Sequence, residues 1–364
     1  MDNAVLRTGA LRQLMNELLA VEPGRRRDAV REERYRDLGL AEMLTRESEQ
    51  FEQSCPAKAE ELAELARMVA EQPYPGSLIA RVDRVMALSH CLQGNARRLS
   101  GDRPGAEQQF RKAAAVLTGP PNSIERALYC QRLASLREEQ GSFEEATVLL
   151  WRAAGIFREA RATELQVACL CRLGFFLLHE NAPEGASRHF AQARGLLSFE
   201  ASPALAARCG FGLALCRVSS GLEEEALSLR KESRRLSEAV VDSRDLLDLD
   251  WLDGRLAACF GEHQEAIAGL GSVRRRLLNQ HRLLDAALCS LDLARLFAAT
   301  GQAARIQELI FDLHATFLPS PDQARVLFAL RGFRAAVLGG EDAEPAGLEA
   351  LDLIRRPAAF FGKI

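Results

Sequence analysis

No apolar run in the chain approaches the ~18 residues that a bilayer-spanning helix needs. The N-terminus, "MDNAVLRTGALRQLMNELLAVEPGRRR", lacks the basic-then-apolar order of a secretion signal. The expectation is a cytoplasmic protein with no membrane partner. An excess of one charge is also missing: 47 Lys and Arg stand against 50 Asp and Glu, a formal net charge of −3. A dedicated nucleic-acid binder would show a strong basic excess, so no nucleic-acid partner is expected. The two basic clusters, Arg25–Arg26–Arg27 and Arg274–Arg275–Arg276, read as solvated helix faces. Lysine is scarce, confined to Lys58, Lys112, Lys231 and Lys363. The nine cysteines are odd in number and contain no CxxC pair, which suggests neither a disulfide framework nor a zinc ribbon. The one CxC, Cys169 and Cys171, would point its side chains to different faces of a helix, a poor start for a metal site.

Catalytic signatures are missing as well. There is no GxSxG, no P-loop ending in Lys-Ser/Thr, no HExxH and no kinase signature. The six histidines form no tight cluster with acids. Runs such as Glu223–Glu224–Glu225 fall in first turns of helices, where acid suits the helix dipole without an active site. The chain reads as non-enzymatic, with no cofactor and no metal.

What is present is a repeat. Steps of forty residues from Gly101 land on Gly101, Gly141, Asn181, Gly221, Gly261 and Gly301, the residue types that best tolerate the left-handed conformation ending a helix. Other positions keep the same frame. Seven before the marker come Gly94, Ala134, Gly174, Ala214, Gly254 and Ala294. Five after it come Ala106, Ala146, Ala186, Ala226, Ala266 and Ile306, and nine after it Phe110, Leu150, Phe190, Arg230, Leu270 and Ile310. The spacing predicts two helices per repeat: a first helix with a small residue at the crossing, and a second helix whose buried stripe starts five residues past the turn. A seventh, degenerate copy spans 341–353. Within "GDRPGAEQQFRKA" (101–113), Gly105 has no counterpart in most copies and carries no pattern.

The small–turn–Ala–Phe–Ala order, best kept by Gly94, Gly101, Ala106, Phe110 and Ala113, resembles the tetratricopeptide repeat. That family's usual unit is 34 residues, so forty implies longer helices, as in the extended arrays of bacterial signalling scaffolds and sensors. The resemblance covers about 85–355 and implies an all-α right-handed solenoid of helical hairpins. It divides the chain into an N-terminal capping or docking region at 1–36, a repeat array at 37–356 with one off-register unit before residue 85, and a tail at 357–364. The tail either packs on the last repeat, stays disordered, or offers Phe360 and Phe361 as an anchor.

The resemblance also implies a groove lined by first helices that binds a protein or peptide partner. Offsets of ten, six and three residues before each turn place Asn95, Arg98, Phe175, Phe211, Trp251, Arg255 and Arg295 among its candidate lining residues. Aromatic and arginine anchors are enriched among binding hot spots. Half of the apolar members could instead pack between successive first helices. Asn95 and Arg172 match two places of the family's carboxylate clamp, but Cys91 and Ala168 stand where its other basic residues would be, so chaperone-tail binding is not assigned. The expected function is a binding scaffold or adaptor. The alternative is a regulatory sensor whose groove takes a short peptide or small ligand and changes conformation. A homo-oligomer is compatible with either.

Overall fold

The computed structural model describes residues 2–350, apart from 53, 118, 121, 180–181, 199–201, 281, 303, 317–320, 340–344 and 348. The expectations for Asn181, for most of the seventh copy and for the tail at 357–364 lie outside the described residues. Those residues are helical throughout, with no strand among them.

The chain forms two compact units, one of residues 1–138 with 148–161, the other of 139–147 with 162–364. The first contains α1 (Asp2–Ala20), the short α2 (Arg26–Ala29), α3 (Leu38–Phe51), α4 (Pro56–Ala70), α5 (Ile79–Leu99), α6 (Arg103–Val116) and nearly all of α7 (Ile124–Glu139). Helix α8 (Phe143–Glu159) contributes residues to both units. The second contains α9 (Thr163–His179), α10 (Pro183–Leu196), α11 (Pro203–Ser219), α12 (Glu223–Ser237), α13 (Ser243–Cys259), α14 (His263–Asn279), α15 (Leu283–Ala299), α16 (Ala304–Thr316) and α17 (Pro321–Leu338).

The turns explain why helices stop every forty residues. Gly101, Gly141, Gly221, Gly261 and Gly301 all have φ between +70° and +84°. At Gly101 the glycine N–H donates to Arg98 O and the next N–H, of Asp102, to Arg97 O, both at 2.9 Å. The same pair of bonds recurs around Gly221, Gly261 and Gly301. This is the helix-ending motif in which two otherwise orphaned carbonyls are satisfied by a left-handed residue and its successor. Asp102 then starts α6, its carboxylate accepting from the Gly105 N–H at 2.9 Å. Gly105 is therefore not idle: a Cβ there would lie 1.9 Å from Asp102 Oδ2 and push the capping carboxylate away.

Within each repeat the predicted stripe is buried. Ala106, Ala146, Ala186, Ala226, Ala266 and Ile306 are fully enclosed, as are Phe110, Leu150, Phe190, Leu270 and Ile310. The small residue seven before the turn is small because the second helix's bulky residue rests on it. A Cβ on Gly94 would sit 3.2 Å from the Phe110 ring, and one on Gly174 would sit 2.7 Å from the Phe190 ring. Phe190 is held from two sides, since Gly212 on α11 also lies against it. In the first unit, Met15, Leu18, Val30 and Tyr35 share one core with Leu38, Leu44, Leu62 and Val85. The segment from Leu11 to Tyr35 thus packs onto α3–α5.

One arginine of each basic cluster departs from the expected solvated face, while Arg25, Arg27 and Arg275 are exposed as expected. Arg26 is part-buried and donates to the carbonyls of Leu19 and Val21 and to Glu61. Arg274 is buried, bonded to Ser290 at 2.9 Å and to Asp312 at 3.2 Å. In each case the arginine ties a helix to its neighbour and not to water, which charge counting cannot reveal.

The Gly174–Phe190 contact gives a test. Gly174→Ala adds a methyl where no room exists, an overpacking that costs about 1–3 kcal/mol. That exceeds the ~1 kcal/mol that alanine gains over glycine in a helix. The variant is expected to show a lower urea midpoint than wild type. In a Phe190→Leu background the same Gly174→Ala change is expected to be neutral or stabilising. Equal effects in the two backgrounds would show that the two side chains are not in contact.

Candidate functional site

First helices carry two polar constellations, one in each unit. In the first unit, Asn95 on α5 is buried and donates through Nδ2 to Glu52 Oε1 at 2.8 Å, while its Oδ1 accepts from Arg98 Nε at 2.7 Å. Glu52, at the end of α3, also receives Arg132 from α7: Nε to Oε1 at 2.8 Å and Nη2 to Oε2 at 3.1 Å. Arg132 Nη2 reaches Glu49 as well, at 3.3 Å. The Arg132 side chain is 11% exposed and that of Glu52 is 10% exposed. Burial works against the Arg132 charge, but the adjoining Glu52 carboxylate outweighs it and holds the guanidinium pKa above its ordinary value. Asn95 and Arg98 are thus parts of a satisfied network that ties α3, α5 and α7.

In the second unit, Trp251 and Arg255 on α13 meet Asp292 on α15. Trp251 Nε1 donates to Asp292 Oδ2 at 2.8 Å. Arg255 Nε stands 3.8 Å from the same oxygen, too far for a hydrogen bond, with its side chain 28% exposed. Arg295 is one turn further along α15, half-buried, and its side chain rests against Gly347, whose Cβ would fall 2.9 Å from Nε. Phe175 is half-buried and packs edge-to-face on Phe190, with ring centroids 4.9 Å apart. Phe211 is 1% exposed and belongs to the core of α11–α13. Its ring supports the face from behind and offers no surface of its own. The reason is the length of the helices, which bury more of each first helix against the next one.

Three functional-looking residues escaped the offsets used on the sequence. Arg132 and Asp292 both stand nine residues before their turn, as does Arg172, and Glu52 lies in the off-register unit. A nine-before column of Arg132, Arg172 and Asp292 was available as a signal. On an α-helix it falls beside the ten-before and six-before positions.

Burial disfavours the thiolate form of several core cysteines. Burial pushes Cys91 up to about 12 and Cys216 up to about 11. Cys171 faces Cys209 across the α9–α11 interface at 3.1 Å; their mutual hydrogen bond, with burial, raises Cys171 far above its ordinary value. Cys169, Cys209 and Cys289, which share one place in the repeat, are fully enclosed. No group of three or more metal-ligating side chains occurs among the described residues. No helix among them is long and apolar enough to cross a membrane.

The architecture is that of an all-α, tetratricopeptide-like helical-hairpin solenoid, and the comparisons bear on this class. No protein-family model matches the chain, and no curated protein is similar to it at a significant level. Solved structures are similar. A Rap protein complexed with competence and sporulation factor matches with a TM-score of 0.63 at 13% identity, over 87% of both chains. The apo form of RapI matches with 0.52 at 13% identity, over 87% of this chain and 98% of that one. Aspartyl phosphate phosphatase F from Bacillus subtilis matches with 0.50 at 15% identity, over 94% of this chain and 93% of that one. At these identities the likeness establishes a shared helical-repeat fold.

Two predictions follow from the charges and thiols. Breaking the buried pair by Glu52→Gln is expected to lower stability by about 3–5 kcal/mol, because it strands Arg132. The double change Glu52→Leu/Arg132→Met should recover most of that loss in urea titrations. If the double variant is as unstable as the sum of the singles, the pair is not coupled. The alkaline limb tests Cys91. Its ordinary value is 9.0 and its folded value about 12, so above pH 9 the unfolded chain binds fewer protons than the native one. The contribution is therefore complete below pH ~9 and lost as pH rises toward 12. The unfolding free energy from urea titrations should fall as pH rises above ~9, by about 1.4 kcal/mol per pH unit for a fully buried thiol, and the fall should be shallower in Cys91→Ala.

Proposed function

We propose that this chain is a non-enzymatic scaffold or adaptor that binds a protein or peptide on its first-helix face, with the main contact at Trp251, Arg255 and Asp292. The observation that carries this reading is the loose Arg255–Asp292 pair at 3.8 Å beside a half-buried tryptophan. A guanidinium whose carboxylate lies beyond hydrogen-bond reach can take a second acceptor at little cost. An adjacent indole supplies apolar area with few rotamers to freeze. Arg295, one turn beyond Asp292 on α15, and Phe175 on α9 are further candidate contacts. Asn95 and Arg98, locked in the network around Glu52, are candidate contacts on the first unit. The reading keeps residues 1–36 as a capping region, 37–356 as the array and 357–364 as a tail, in a cytoplasmic protein.

The second reading is a sensor, in which a short peptide or small ligand on this face changes how repeats sit on one another. It is supported by the Rap structure complexed with competence and sporulation factor. The non-enzymatic part is supported by burial that raises the Cys91 and Cys216 thiols and by a sequence without GxSxG, HExxH, P-loop or kinase signatures.

The test is a peptide-display selection against the full chain, followed by fluorescence-polarisation titration of the selected peptides. Trp251→Ala/Arg255→Ala is expected to weaken binding at least tenfold, while Trp151→Phe, on the second-helix side of its repeat, leaves it unchanged. Selected peptides that bind the double variant as well as wild type would move the site off this face. Release of inorganic phosphate from a phosphorylated aspartate in a captured partner would overturn the non-enzymatic reading.

A further inference from the structure

One repeat breaks the core pattern. Nine residues past the turn, five repeats place Phe110, Leu150, Phe190, Leu270 or Ile310, and the α12 repeat places Arg230. Arg230 is nonetheless buried, its side chain 5% exposed. It survives there by pairing with three carboxylates: Asp253 on α13 at 2.7 Å, Glu262 in the α13–α14 turn at 2.5 Å, and Glu265 on α14 at 3.3 Å. Its guanidinium also lies over the Phe260 ring, 5.7 Å from the centroid. Arg234, one turn further along α12 and 45% exposed, binds two of the same carboxylates, Asp253 at 2.6 Å and Glu265. The packing agrees with the chemistry. Helix α12 meets α13 less extensively than α10 meets α11 or α14 meets α15.

Two guanidinia sharing three carboxylates have more than one satisfied arrangement. Asp253 and Glu265 can pass between Arg230 and Arg234, which lie one turn apart, and every buried charge keeps a partner during the exchange. Interdigitated Phe or Leu contacts have no such alternative, because sliding them opens voids. Glu262, Glu265 and Arg234 are substantially exposed, so added salt reaches the cluster.

We propose that the Arg230–Arg234 cluster is a shear joint, at which the α13–α14 hairpin slides against α12 between discrete ion-pair arrangements. Trp251 and Arg255 ride on α13, while Phe211 belongs to α11. Sliding therefore shifts the proposed binding centre relative to α11 and α12, a small displacement of packed helices of the kind that gates other helical proteins. The existence of the joint is independent of the binding proposal; only its use rests on that reading.

The test uses the full chain without a ligand, with sodium chloride as the probe. Backbone hydrogen exchange is followed by mass spectrometry from about 0.05 to 1 M salt. In wild type, exchange in α12–α14 is expected to speed up at least threefold with salt, while α5–α6 and α10–α11 do not change. Arg230→Leu restores the residue type of the other repeats and should abolish the response. Should that variant not fold, Arg234→Gln, at an exposed site, removes the exchange partner and should reduce the response by half or more. A salt response spread evenly over all repeats, or one retained in both variants, overturns the joint. Neither outcome touches the peptide titrations, so the two readings fail separately.

Discussion

Everything in this chain depends on how closely two helices of a hairpin approach at one crossing. A residue with no side chain, or only a methyl, stands seven places before the turn, and a large apolar side chain nine places after the turn rests on it. The turn between them must be short and must reverse direction, which a positive-φ glycine and its two hydrogen bonds accomplish. Gly94 and Gly174 face phenylalanines and Gly254 faces Leu270, whereas Ala134 and Ala294 belong to repeats with Leu150 and Ile310. Each hairpin thus sets its own crossing distance by a sum of two volumes, and close packing does not tolerate an error in that sum.

Once that crossing is fixed, polar chemistry is confined to what is left over. First helices must also lie against their successors, and the bonds between them recur at about one repeat length. Between first helices, Cys171 to Cys209 and Trp251 to Asp292 are separated by 38 and 41 residues; between second helices, Arg274 to Asp312 are separated by 38. Some are apolar or thiol contacts and some are ion pairs. A buried ion pair adds little stability over an apolar pair of equal volume but admits few orientations. The Glu52–Arg132 pair, with Asn95 and Arg98 closing its remaining bonds, therefore fixes where the N-terminal first helices sit without making them more stable than leucines would.

The fold was legible because its signal is redundant: six copies of a turn, a small residue and a buried stripe all repeat at one period. Site residues were legible only in part. Trp251 and Arg255 came from the offsets, and their partner Asp292 did not, since a one-residue step on a helix rotates a side chain by about 100°. Phe211 satisfied the same offset as Trp251 and is buried, because its neighbours in this array are long enough to enclose it. Gly105 matched no column, and its reason is local: the Asp102 carboxylate occupies the space a Cβ would take. The period of a repeat identifies what every copy must do. It is silent about pairs formed once, and those pairs carry most of the polar chemistry.

The departures from the period are consequently the informative positions. Arg230 is the sharpest, a charge placed where packing alone would choose phenylalanine, and retained by three acids drawn from the next hairpin. An isolated arginine there would be untenable. The acids are thus a condition of its presence, and Asp253 on α13 and Glu265 on α14 answer to α12 as much as to their own helices. In a stack where each repeat touches only its neighbours, a single polar interface does not weaken the others. It does make this joint, where two guanidinia share three carboxylates, respond to its ionic surroundings.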